Sequence, residues 1–181
     1  MKRLLITIFL LEMSWTIHAQ VYKSQDVLLS FFSSAPIEDI KADSKKGVSA
    51  VNFETKSIYF KVSIRSFEFA KRLMQEHFNE NFLESSEYPF AEFKGNIKGP
   101  IDITKDGNYP VTVQGDLNIH GVTKNYLVNG EFIVERGIIT GKSTFPVKLV
   151  DHHIKIPSIV IKNIAEIVDV TVVVKYNATA H

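Results

Sequence analysis

Six histidines and twenty acidic residues stand in a chain with no cysteine. Any chemistry must therefore come from imidazoles, carboxylates and hydroxyls, and thiol nucleophiles, cysteine metal sites and disulfides are excluded. His77, Glu80 and Glu84 are spaced to share one side of a helix, so a zinc site can be drawn through them. Zinc needs three or four ligands supported by further hydrogen bonds. The helical neighbours of His77, which are Leu73, Met74 and Phe78, supply no such atoms. His77 therefore reads as a residue packed under a helix, with no metal. His152 and His153 are adjacent, and strand neighbours point to opposite faces. That pair reads as part of a solvated loop. No Gly-x-Ser-x-Gly elbow is present to activate a serine. The expectation is no catalytic residue, no metal and no cofactor. The enzymatic alternative is an exported hydrolase or isomerase acting on a lipid, with His77 or His120 as base.

The elements that carry these residues are mostly strands. Ile58, Phe60, Val62 and Ile64 alternate with Tyr59, Lys61, Ser63 and Arg65, the period of a half-buried strand. Val27–Phe32 and Val48–Phe53 are shorter strand candidates. After Ser66 the period changes. Ala70, Leu73, Met74, His77, Phe78 and Asn81 fall on one face of a helix of roughly three turns. Tyr88-Pro89 returns the chain to extended geometry. Alternation then runs through Ala91, Phe93, Gly95 and Ile97; Tyr109 to Ile119; Tyr126 to Val134; Phe145 to Leu149; and Val168 to Tyr176. Lys105-Asp106-Gly107-Asn108 and Glu135-Arg136-Gly137 are turns by composition. Asp151–Ser158 reads as irregular.

About eight strands joined by short turns predict an all-β fold: an eight-stranded antiparallel barrel with one inserted helix, lipocalin-like, of a size that can hold one small ligand. A two-sheet sandwich would give similar local patterns.

The start of the chain has a different character. Met1-Lys2-Arg3 is basic, Leu4–Leu11 is apolar, and Ile17-His18-Ala19 offers a small residue before Gln20. This order is that of a Sec-type signal peptide, with residues 1–19 removed and a periplasmic or secreted domain over 20–181. The apolar run is too short to span a bilayer comfortably. The 162 residues that remain suit one domain, and they carry 19 basic and 19 acidic side chains. Zero formal charge supports neither nucleic-acid binding nor a strongly basic membrane face. Without disulfides, stability must come from burial, and the chain is rich in rings, with 13 Phe and 6 Tyr.

Two blocks carry a resemblance. One runs from His77 through Asn81-Phe82-Leu83 to Tyr88-Pro89-Phe90-Ala91-Glu92-Phe93. The other, more specific, is Gly115-Asp116-Leu117-Asn118-Ile119-His120-Gly121-Val122-Thr123-Lys124. Together they resemble the YceI-like proteins, small bacterial extracytoplasmic barrels that hold long isoprenoid-type lipids. The likeness covers roughly residues 56–176. Ser30–Ile40 departs from the family, whose members often run into a Gly-rich hairpin there.

Residue physics alone favours a filled core for the apolar stripe. The resemblance implies instead a tube lined by Phe60, Val62, Ile64, Phe93, Ile97, Val113, Leu117, Ile119, Phe132 and Phe145. It also implies a non-catalytic carrier of a polyprenyl lipid or quinone, with transient membrane contact. A filled structural barrel with a protein partner is the remaining alternative.

Overall fold

The computed structural model describes residues 20–34, 39–155 and 166–177. The expected signal peptide, residues 35–38 and residues 156–165, which include the end of the stretch read as irregular, lie outside the described residues.

The strands are β1 (Tyr22–Ser24), β2 (Val27–Ser33), β3 (Ile40–Ser44), β4 (Val48–Asn52), β5 (Ser57–Ser63), β6 (Glu68–Phe69), β7 (Phe90–Lys98), β8 (Gly107–Ile119), β9 (Val122–Glu135), β10 (Ile138–Lys148) and β11 (Ile167–Asn177). Helix α1 (Arg72–His77) continues into a π-helical turn over Phe78–Phe82. All strands belong to one antiparallel sheet, in the order β1-β4-β5-β7-β8-β9-β10-β11-β2-β3-β6. The all-β, barrel-like architecture with one short helix is the one expected.

Among the described residues the strand count is eleven, not eight. The register explains the difference. Tyr22 faces Val51 and Ser24 faces Ser49 in the β1–β4 pair; Leu29 faces Ser44 in the β2–β3 pair. These pairings share one register, so β1 and β2 are two parts of one stave, as are β3 and β4. The broken hairpin joins β11 on one side to β5 on the other. Only the two-residue β6 is then an extra. At the seam, the Ser44 and Ser66 hydroxyls hydrogen-bond at 2.7 Å.

Alternation explains why the sheet curls around its apolar side. Val111, Val113 and Leu117 of β8, Val128, Phe132 and Val134 of β9, and Val168, Val174 and Tyr176 of β11 are buried, while their neighbours face water. The β8–β9 hairpin turns on His120-Gly121, both with positive φ (53° and 70°). This is the backbone of a turn whose twist matches that of its strands. Gly121 is required twice over, since a Cβ there would stand 2.7 Å from the Tyr88 ring.

The barrel is solid at one end. Tyr22, Val51, Ile97, Val134, Ile139 and Tyr176 are buried there, with Phe53 and the loop residues Ile101 and Ile103 packed against them. Within this core the Ser49 hydroxyl donates to the Tyr59 carbonyl at 2.9 Å. The Tyr176 hydroxyl therefore donates to Ser49 Oγ, at 2.6 Å. Burial pushes the Tyr176 hydroxyl well above the usual tyrosine range.

Two local expectations are corrected. The helical stretch Arg72–Phe82 has roughly the expected length but ends in a π turn, and its apolar residues lie over the end of the barrel, not along a core. Leu73 is 61% exposed in consequence, and His77 is exposed rather than packed underneath. Ile64 is buried as expected, but in a 3-10 turn that follows β5, where the chain leaves the sheet.

Candidate functional site: an apolar cavity

The end opposite the solid core is hollow. A cavity of about 420 Å³ lies between the inward faces of β2, β5, β7, β8, β9, β10 and β11, and Met74, His77, Phe78, Phe82 and Leu83 cover its mouth. Its size lies within the range of small-molecule sites. Of the residues named from the sequence, Phe60, Val62, Ile64, Phe93, Val113, Leu117, Ile119, Phe132 and Phe145 stand in its wall. Ile97 does not; it lies 3% exposed in the solid half. Alternation identifies the inner face but not the depth along the axis, so hollow and filled levels look alike in sequence.

The wall includes residues that sequence reasoning did not single out. Leu29 and Phe31 come from β2, Val170 and Val172 from β11, and Leu149 and Ile154 from the turn that follows β10. At the mouth Phe31 stacks on Phe78 with ring centroids 5.4 Å apart, and both rings contact Phe67 and Phe69. Periodicity on β2 could have found Phe31. No local pattern reveals that Phe78, from the helical segment, meets it.

The charged residues at the wall are Lys61, Glu92, Glu131 and Lys142, all at strand positions that alternate outward. Lys61 and Glu92 pair at 3.0 Å, and the Lys61 ammonium sits 3.9 Å from the centre of the Phe90 ring. The hydrogen bond from Lys61 holds the Glu92 carboxyl below the usual carboxylate range. Ser143, which faces inward, already donates to the Asn129 carbonyl at 2.7 Å. The chamber thus offers a guest dispersion contacts and desolvation rather than polar recognition.

Room for the lumen depends on one close approach. Gly95 of β7 and Gly115 of β8 face each other. A Cβ at Gly115 would overlap the Lys94 carbonyl oxygen and stand 2.5 Å from Gly95 Cα and 2.7 Å from Phe93 Cζ. The Phe93 ring therefore covers a patch of bare backbone and stays against the wall.

Two of the histidines form a polar cluster behind the mouth. His120 Nδ1 is 3.2 Å from the His152 carbonyl, and its Nε2 is 2.7 Å from Glu84 Oε2. His152 Nδ1 donates to the Val122 carbonyl at 3.1 Å, so its Nε2 accepts from the Tyr126 hydroxyl at 3.0 Å. Burial pushes the His152 imidazole below, and the Tyr126 hydroxyl above, their usual ranges. His152 is wholly buried, which corrects the solvated-loop reading; only its neighbour His153 is exposed. The 3-10 turn Leu149–His152 swings the ring back under the barrel. Both nitrogens of His120 and of His152 are engaged, and neither residue is in the cavity wall. The cluster ties the segment after the π turn, through Glu84, to the β8–β9 hairpin. Among the described residues no three His, Asp or Glu side chains converge as a metal site requires.

The YceI-like domain model matches residues 27–178. UPF0312 proteins of Vibrio cholerae strains M66-2 and N16961 are 30% identical over 94 residues, 51% of this chain and 47% of each relative. The matched region thus spans about half the length of these curated relatives. A polyisoprenoid binding domain from Saccharophagus degradans, implicated in plant cell wall breakdown, superposes with a TM-score of 0.72 at 15% identity, covering 87% of this chain and 98% of that one. BcnA of Burkholderia cenocepacia gives 0.71 at 16% identity, covering 82% and 95% of the two chains. The Campylobacter jejuni YCEI protein gives 0.66 at 18% identity, covering 81% and 90%. At such identities the structural likeness is one of fold.

Proposed function

The chain belongs to the YceI-like domain family, and from that premise we propose that it is a non-catalytic carrier of a long apolar molecule of the isoprenoid-lipid or quinone class. The observation that carries this reading is the apolar chamber of about 420 Å³ in one half of the barrel. The structurally similar Saccharophagus degradans protein is a polyisoprenoid binding domain, which supports the same ligand class. Binding rests on desolvation. Each buried methylene contributes about 0.8 kcal/mol, so ten buried carbons contribute about 8 kcal/mol before the cost of association. A hydrocarbon tail therefore needs no polar contact inside. The proposed lining is the set Phe60, Val62, Ile64, Phe93, Val113, Leu117, Ile119, Phe132 and Phe145. The proposed setting is periplasmic or secreted, with residues 1–19 removed and brief membrane contact during loading.

The test is native mass spectrometry of protein purified without detergent, followed by titration of the stripped protein with a polyprenyl alcohol and a quinone. A copurified lipid, or saturable one-to-one binding that modest salt leaves unchanged, is the expected result. A folded protein that carries no lipid and binds neither probe would overturn the reading.

A further inference from the structure

The boundary between the hollow and solid halves is one side chain thick. Phe132 of β9 stands in the cavity wall and is 3% exposed. Its ring meets Phe53 edge-on, with centroids 5.3 Å apart, and Phe53 in turn packs on Tyr22 and Tyr176. Beyond it Val134, Ile139 and Tyr176 are almost wholly buried, and none belongs to the wall. The ring is held in place from the side. Its cross-strand partner on β10 is Gly141, where a Cβ would stand 3.0 Å from Phe132 Cε1 and 3.0 Å from Val174 Cγ1. Phe132 thus reaches over bare backbone instead of competing with a neighbouring side chain.

We propose that Phe132, seated over Gly141, is the floor of the chamber and sets the longest apolar chain the barrel accepts. The proposal rests on the carrier reading and adds a length limit and an orientation to it. The wall of β8 runs from Val111 near the floor to Ile119 at the mouth, about 27 Å along the strand and about 20 Å along the barrel axis at the usual tilt. A tail gains contact with each added unit until its end meets the ring. Units beyond that stay at the mouth in water and add little. The floor itself is the carbon surface of the Phe132 ring, and the nearby inward hydroxyl of Ser143 has its only proton committed to a backbone carbonyl. The ligand therefore enters tail first and leaves its polar head outside.

The test uses linear polyprenyl alcohols of increasing length, titrated into stripped wild-type, Phe132→Ala and Phe132→Leu proteins by native mass spectrometry. Circular dichroism checks that each variant is folded. In the wild type, affinity rises with length and then levels. In Phe132→Ala the plateau moves to chains at least one isoprene unit longer, and the first chain beyond the wild-type limit binds at least tenfold tighter than it does to wild type. Phe132→Leu falls between the two, and it carries the test if the alanine variant does not fold. An unmoved plateau in a folded variant that still binds overturns the floor assignment and leaves the carrier reading standing. If no alcohol of any length binds the wild type, the carrier reading fails and the floor proposal fails with it.

Discussion

Replacing Gly115 by alanine adds one methyl group at the point where β7 and β8 come closest. That methyl would overlap the Lys94 carbonyl oxygen and stand 2.5 Å from Gly95 Cα. Both obstacles are backbone, so no side-chain rotation relieves them; the ladder itself must part. Overpacking in a rigid interior costs about 1–3 kcal/mol, and the backbone clash places this case at the upper end. Alanine restricts the unfolded chain more than glycine does and returns about 0.4–1 kcal/mol. The expected net loss is about 2 kcal/mol, or about 4–8 °C in Tm for a domain of this size. Gly107, on the same strand, is the control. The nearest atom to a Cβ there is the Tyr109 hydroxyl at 3.4 Å, and the site is exposed. Gly107→Ala should change stability by less than about 0.5 kcal/mol. Urea unfolding followed by circular dichroism measures both. A Gly115→Ala protein as stable as wild type would refute the close approach. It would also refute the account of why Phe93 stays against the wall.

Gly121→Ala should destabilise by roughly 1–2 kcal/mol, because alanine must take a left-handed conformation against the Tyr88 ring; the same urea assay reads it. Tyr176→Phe removes one buried hydrogen bond and should cost about 0.5–1.5 kcal/mol, while Ser49 keeps its bond to the Tyr59 carbonyl. His152 introduces a pH dependence. Its imidazole is held below the usual range by burial, so the unfolded chain binds a proton that the folded chain refuses. This contribution is complete above about pH 6.5 and is lost as the pH falls toward the lower folded value, with a slope of at most about 1.4 kcal/mol per unit. Thermal unfolding of wild type and His152→Asn between neutral and mildly acid pH should show the flatter profile in the variant. N-terminal sequencing of exported protein is expected to begin at Gln20.

The inner faces were legible because a strand states its buried side in a period of two. Val111, Val113 and Leu117 of β8 and Phe132 of β9 needed no tertiary information. The same signal could not separate Ile97, which lies in the solid half, from Phe93 in the wall, since position along the axis follows from packing. The helical segment misled for a different reason. Leu73 and Phe78 share an apolar stripe, yet a short helix laid across an opening buries only the ring that reaches inside. His152 was obscured by its neighbour. A pair of adjacent histidines looks polar and solvated, whereas the turn at Leu149–His152 buries one ring against Tyr126 and Val122 and leaves the other in water.

The pairing of β11 with β2 has a consequence for the order of events in folding. Val174 lies against Val27 and Asp169 against Phe32, so the circle is completed by the first and last thirds of the chain. Neither β2 nor β10 can find its second neighbour until β11 has been synthesised, and until then each presents an unpaired edge that could join another chain. Contacts so distant in sequence also make closure slow. The nascent protein therefore passes through an open sheet whose ring-rich face is bare. Substitutions in Val168–Tyr176 that barely affect the finished barrel could still lower its yield sharply by prolonging that open stage.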